Sequence, residues 1–165
     1  MSTNHNDQRP RRLRASDIIR DSVAETRLHS SQLIQPHFCL PSDSGEEQIA
    51  SMPGIRRTGT KELLSTVRSD LELGIHKVLL FGLATDDLKD STGSNSSDPG
   101  SAVTNAVRAL KAEFGDELLV ITDVCLCAYT DHGHCGLLED GKVLNDASLA
   151  PLTAMAIAHA DAGAD

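Results

Sequence analysis

Residues 120–136 read V-I-T-D-V-C-L-C-A-Y-T-D-H-G-H-C-G, from Val120 to Gly136. The opening is a short β-branched, apolar run of the kind that forms a fully buried parallel strand, and it stops at Asp123 beside Val124. A loop follows that carries three of the four cysteines, Cys125, Cys127 and Cys135, with Asp131, His132 and His134 next to the third. Soft sulfur donors in that number suit Zn²⁺, and three protein ligands with one open position is the catalytic arrangement rather than the four-ligand structural one. C-x-C puts both sulfurs on one side if the backbone is extended, and Gly133 and Gly136 let the returning segment bring Cys135 to them. Two other readings stay open at this point: small buried hydrophobes, and a disulfide, which would be unusual in an intracellular chain.

Outward from this loop the chain alternates strand and helix. Leu33 to Leu40 reads as a first strand, weakened by Pro36, and 42–57 as a loop. Thr60 to Leu73 reads as a helix with Thr60 as N-cap, an apolar face of Leu63, Leu64, Val67 and Leu71, and Gly74 after its end. His76 to Leu83 is a second buried strand, and the polar stretch 84–100 is a long, functional type of loop. Ser101 to Phe114 is a second helix, Leu118 to Val124 the third strand, and a last helix is expected to be capped by Ser148 and stopped at Gly163. This is the pattern of a parallel α/β fold. No G-x-G-x-x-G or P-loop follows any strand, and both long loops follow strand ends. A TIM barrel is therefore favoured over a doubly wound sheet.

The chain has 165 residues, a formal net charge of −9 and 2% aromatics with no tryptophan. That balance speaks against nucleic acid as a partner and for small polar substrates. No apolar run approaches a membrane span and no leader is evident, so the cytoplasm is the expected location. Residues 1–30 are expected to be a disordered tail, Met1 to Gln8, followed by an oligomerisation arm with the one basic cluster, Arg9 to Arg14, and a short helix between Ser16 and Leu28. Residues 31–165 would then hold three βα units. A barrel needs about 250 residues, so the chain reads as the N-terminal half of a longer protein, poorly stable alone.

The segment D-V-C-L-C-A-Y-T-D-H-G-H-C-G resembles the zinc loop of the porphobilinogen synthases, also called δ-aminolevulinic acid dehydratases. The basic cluster, Ser51-Met52-Pro53-Gly54, Leu80-Phe81-Gly82, and Lys89-Asp90 with Gly93-Ser94 extend the resemblance from Arg9 onward. It implies a (β/α)₈ barrel, an arm that embraces a neighbour in a homo-octamer, and condensation of two 5-aminolevulinate molecules to porphobilinogen in tetrapyrrole synthesis. Keeping all three sulfurs aligns the chain with zinc-dependent members rather than magnesium-dependent ones that carry acids there. Whether a full-length enzyme also takes Mg²⁺ is left open.

Asp123 at its strand end is the expected active-site acid, Phe81 the expected pocket-lining aromatic, and His134 a candidate for a second zinc or for the metal surroundings. The family's two Schiff-base lysines lie on later strands. Lys61, Lys77, Lys89, Lys111 and Lys142 sit on helices, in loops or at a strand start, so none is expected to take that role. The alternative is a catalytically dead zinc-binding or assembly module of the same family.

Overall fold

A computed structural model describes residues 11–165. The expected disordered tail and the first residues of the basic cluster lie outside them. From Arg11 to Gln32 the chain is exposed, with one short helix α1 (Asp17–Ser22) capped by the Ser16 hydroxyl, which accepts from the Ile19 N–H. Leu13, Ile18 and Leu28 are left in solvent on this arm.

Then come β1 (Gln35–Cys39), β2 (Glu46–Gln48), β3 (Arg56–Thr58), α2 (Thr60–Glu72), β4 (Lys77–Gly82), α3 (Ala102–Phe114), β5 (Leu119–Thr122), a small hairpin of β6 (Leu138–Glu139) and β7 (Lys142–Val143), and α4 (Asn145–Asp161). β1, β4 and β5 lie side by side, all parallel, in the order in which they occur in the chain. Each is followed by its helix. Sequential parallel order is that of a TIM barrel, whereas a doubly wound sheet reverses direction at a switch point. After α4 the chain runs along the free edge of β5: the Asp165 N–H donates to the Val120 carbonyl at 3.0 Å, and its carboxylate accepts from the Val120 N–H at 2.8 Å.

Strand alternation sorts the side chains into two faces. Cys39, Val78, Leu80 and Val120 pack on Leu63 and Val67 of α2 and on Val103, Val107 and Leu110 of α3, all fully or nearly fully buried. On the opposite face Phe38, Leu79, Phe81 and Ile121 are half-buried, as an inner barrel surface. No described helix is long and apolar enough to cross a membrane.

Three local expectations need correction. The stretch read as a loop, 42–57, contains the antiparallel β2/β3 hairpin, with β3 pairing in parallel on β1. Thr60 is not the N-cap of α2. Gly59 is, and the first amides of the helix are satisfied by backbone: Gly59, Thr60 and Lys61 donate to the carbonyls of Gly45, Ser42 and Asp43. A Cβ on Gly59 would lie 2.6 Å from the Ser44 backbone, so only glycine admits this approach. Ser148 lies inside α4, where its hydroxyl donates to the Leu144 carbonyl and accepts from the Leu137 N–H, fastening the helix to the far end of the cysteine loop.

One buried pair was not anticipated. His37 of β1 faces α2, its Nε2 2.9 Å from the Asp70 carboxylate. Asp70 falls three residues after Val67 on the apolar side of α2, and a carboxylate there was the available signal. Burial lowers the His37 pKa more than Asp70 raises it, and burial also lowers that of His159 in α4, whose ring nitrogens have no hydrogen-bond partner among the described residues. Both are therefore held neutral, and the unfolded chain binds their protons first. Stability should be fully present above pH 6.5, the ordinary histidine value, and fall as pH drops through the window below it. Denaturant midpoints at about pH 7.5 and about pH 5 measure this, with the lower pH expected to give the lower midpoint; equal midpoints would rule the account out.

Candidate metal centre

β5 delivers the chain to the C-terminal end of the sheet, where Asp123 donates its N–H to the Leu80 carbonyl at 3.0 Å. Beyond it the fully buried Leu126 opens a single 3-10 turn, Leu126–Ala128, which anchors the chain while Cys125 before it is half-buried and Cys127 within it is exposed. Leu126 belongs to a second apolar cluster with Ala84, Tyr129 and Met155, which seats the loop on α4. The segment then returns through Gly133, and the three sulfurs of Cys125, Cys127 and Cys135 come to lie within 4.8 Å of one another. Cys125 and Cys127 are 3.3 Å apart. No other Cys, His, Asp or Glu donor among the described residues joins the group.

The electrostatics of this trio favour a cation. Partial burial, then the Cys125 sulfur, push the Cys127 thiol up to about 12, and the hydrogen bond with Cys125 is the first cause of the raised Cys135 pKa. Three thiolates so close repel unless a positive ion sits among them. In a tetrahedral centre with Zn–S near 2.3 Å, sulfurs stand about 3.8 Å apart, a separation this trio reaches with shifts of under about 1 Å. The residues present therefore fit a soft metal ion.

Asp123 continues the alternation of Leu119 and Ile121, which puts it on the inner face with Phe81. Desolvation raises its carboxyl pKa, and its charge is felt by Cys135. Phe81 stacks on Phe38 of the neighbouring strand, ring centroids 5.2 Å apart. A cleft of about 380 Å³ opens at the ends of β1 and β4, between Leu40, Pro41, Arg57, Leu83 and Lys89.

His134 is exposed, and its ring lies 5.6 Å from that of His132. His132 bonds to the loop after β4 through the Ser91 carbonyl. Of the lysines, Lys89 pairs with Asp86, Lys111 with Asp165, and Lys77 opens β4 at its N-terminal end. Tyr129 and the contacts of Asp90 were not singled out beforehand. The aromatic between two cysteines in an otherwise aromatic-poor chain was the signal for the first; the second is a contact across 40 residues with no local signature.

Strands in sequential parallel order, with three converging cysteine sulfurs on the loop at their C-terminal ends, define a barrel-type α/β protein with a thiol cluster that could hold a metal ion. The family model for delta-aminolevulinic acid dehydratase matches residues 7–165. The chain belongs to that family. It is 44% identical over 157 residues to the delta-aminolevulinic acid dehydratase of Streptomyces coelicolor, covering 94% of this chain and 48% of that protein. It is 41% identical over 157 residues to that of Bacillus subtilis, covering 95% and 48%. Among solved structures, the enzyme of Toxoplasma gondii in complex with the reaction product porphobilinogen superposes with a TM-score of 0.89 at 35% identity, covering 96% of this chain and 45% of that one. The chain thus spans about half the length of the curated relatives it matches.

Proposed function

We propose that this chain supplies the metal half of a porphobilinogen synthase site, in which two 5-aminolevulinate molecules condense to one porphobilinogen and two waters. The observation that carries the reading is the convergence of Cys125, Cys127 and Cys135 at the strand ends, beside Asp123 on the inner face. Three sulfurs and no carboxylate in the group argue for zinc rather than magnesium. Zinc with an open position supplies Lewis acidity toward a substrate oxygen or amine. Asp123, whose desolvated carboxyl keeps its proton to higher pH than usual, is suited to exchanging a proton with a substrate amine. The stacked Phe81 and Phe38 give the inner face an apolar patch, and His134 is exposed on the cysteine loop.

None of the five lysines stands desolvated at a strand's C-terminal end, so Schiff-base chemistry is not assigned to this chain. The exposed apolar residues of 11–30 support an assembly arm for a homo-oligomer, an octamer by family resemblance. Free thiols in the cluster fit a cytoplasmic location.

The assay combines zinc stoichiometry, pyrrole formation from 5-aminolevulinate, and porphobilinogen binding followed by NMR at Phe81 and Asp123. One zinc per chain, shifted signals at both residues and no pyrrole from the chain alone are expected. Zinc without any shift would favour a metal-binding assembly module instead, and pyrrole production would overturn the statement about the lysines.

A further inference from the structure

The turn from Asp90 to Ser94, in the loop after β4, lies against the cysteine loop. Asp90 Oδ1 accepts from the Thr92 N–H and hydroxyl, both at 2.8 Å, and from the Ser94 N–H at 3.2 Å; Oδ2 accepts from the Ser94 hydroxyl at 2.5 Å. These donors, the Ser94 hydroxyl foremost, hold the carboxyl well below the ordinary carboxylate range. Its side chain is thus fully engaged within its own turn. Its backbone faces the other way. The Asp90 N–H donates to the Tyr129 carbonyl at 3.3 Å, and its carbonyl accepts from the Asp131 N–H at 3.0 Å, a one-residue parallel bridge that brackets Thr130.

Next along, the Ser91 carbonyl receives His132 Nε2 at 3.3 Å. His132 Nδ1 accepts from the His134 N–H at 3.1 Å, which leaves Nε2 as the donor. The buried Thr130 donates its hydroxyl to the His134 carbonyl at 2.9 Å. Every one of these ties lands between Cys127 and Cys135.

We infer that Asp90 is a positioning residue for the metal: its carboxylate shapes the turn whose backbone holds the returning half of the cysteine loop, so that Cys135 meets Cys125 and Cys127. The inference rests on the zinc reading above. Without the clamp, the stretch from Ala128 to His134 must be ordered by the metal itself, and that ordering entropy is subtracted from the binding free energy. Asn at this position would put an NH2 where Oδ2 now accepts from the Ser94 hydroxyl, forcing that hydroxyl to reverse its role, and would remove the charge that strengthens all of these bonds.

Zinc affinity of the whole chain, measured by competition with a chromophoric chelator, tests this. Asp90→Asn is expected to weaken zinc binding about 10–100-fold, the range for residues that orient metal ligands, and to diminish the thiolate charge-transfer band of the Co²⁺ form. Asp86→Asn, an exposed change in the same loop whose carboxylate bonds to Lys89 and to nothing in the cysteine loop among the described residues, should leave both unchanged. Should Asp90→Asn fail to fold, the unaltered chain still decides the matter: coupling is reciprocal, so zinc should slow hydrogen exchange at the Asp90 and Asp131 amides by a comparable factor. A parent chain that binds zinc, with an Asp90→Asn affinity within about twofold of it or with those amides indifferent to zinc, overturns the role of Asp90 alone. A parent that binds no zinc overturns the metal reading and this inference with it.

Discussion

Replacing Cys135 with alanine should lower zinc affinity by two to three orders of magnitude and leave the fold intact. Four-ligand zinc sites bind with roughly 10–16 kcal/mol, so each protein ligand is worth roughly 3–4 kcal/mol, which is about that many decades. Cys135 is exposed at the loop's return, outside both apolar clusters, so its loss opens no cavity. Cys39→Ala is the contrasting change. That thiol is 2% exposed, burial pushes it up to about 12, and it packs in the main core on the helix side of β1. It should lower the melting temperature without touching zinc affinity. Chelator competition and thermal melts on the two variants separate these expectations. Equal zinc affinity in parent and Cys135→Ala would remove the three-sulfur site.

Tyr129 should show an equally sharp contrast between two substitutions. Among the described residues it is the largest fully buried side chain, 1% exposed, in the cluster beneath the cysteine loop. Its ring reaches β4 at Gly82, where an added Cβ would run into the Tyr129 hydroxyl and into Val103. Truncation to alanine empties that space and should cost about 3–5 kcal/mol, loosening Cys127 two residues away and so weakening zinc as well. Phenylalanine keeps the ring and removes only a hydroxyl for which the described residues offer no hydrogen-bond partner. Such a group bears its desolvation penalty without return, so Tyr129→Phe should change stability by no more than about 1 kcal/mol, in either direction. A large loss in Tyr129→Phe, read by denaturant unfolding, would mean that the hydroxyl makes a bond essential to the loop.

The residues that carried the reading of this chain were those whose meaning is local. Cys125, Cys127 and Cys135 sit within one loop, and a donor set follows from residue type and spacing. The boundaries of β4 and α3 were legible because apolar periods and glycine stops act over a few residues. Thr60 was misread as a cap for the complementary reason: the groups that satisfy α2 are backbone carbonyls at Ser42, Asp43 and Gly45, and backbone has no letter of its own.

Sequence alone determined the sulfur loop, the strand-helix alternation and the position of Asp123 at a strand end, because each depends on neighbours in the chain. Tertiary structure decided the sequential parallel order of β1, β4 and β5, the His37–Asp70 pair, the fit of Tyr129 over Gly82 and the clamp at Asp90. Those contacts join residues dozens of positions apart. Their partners become neighbours only after the sheet has brought distant segments to a common edge.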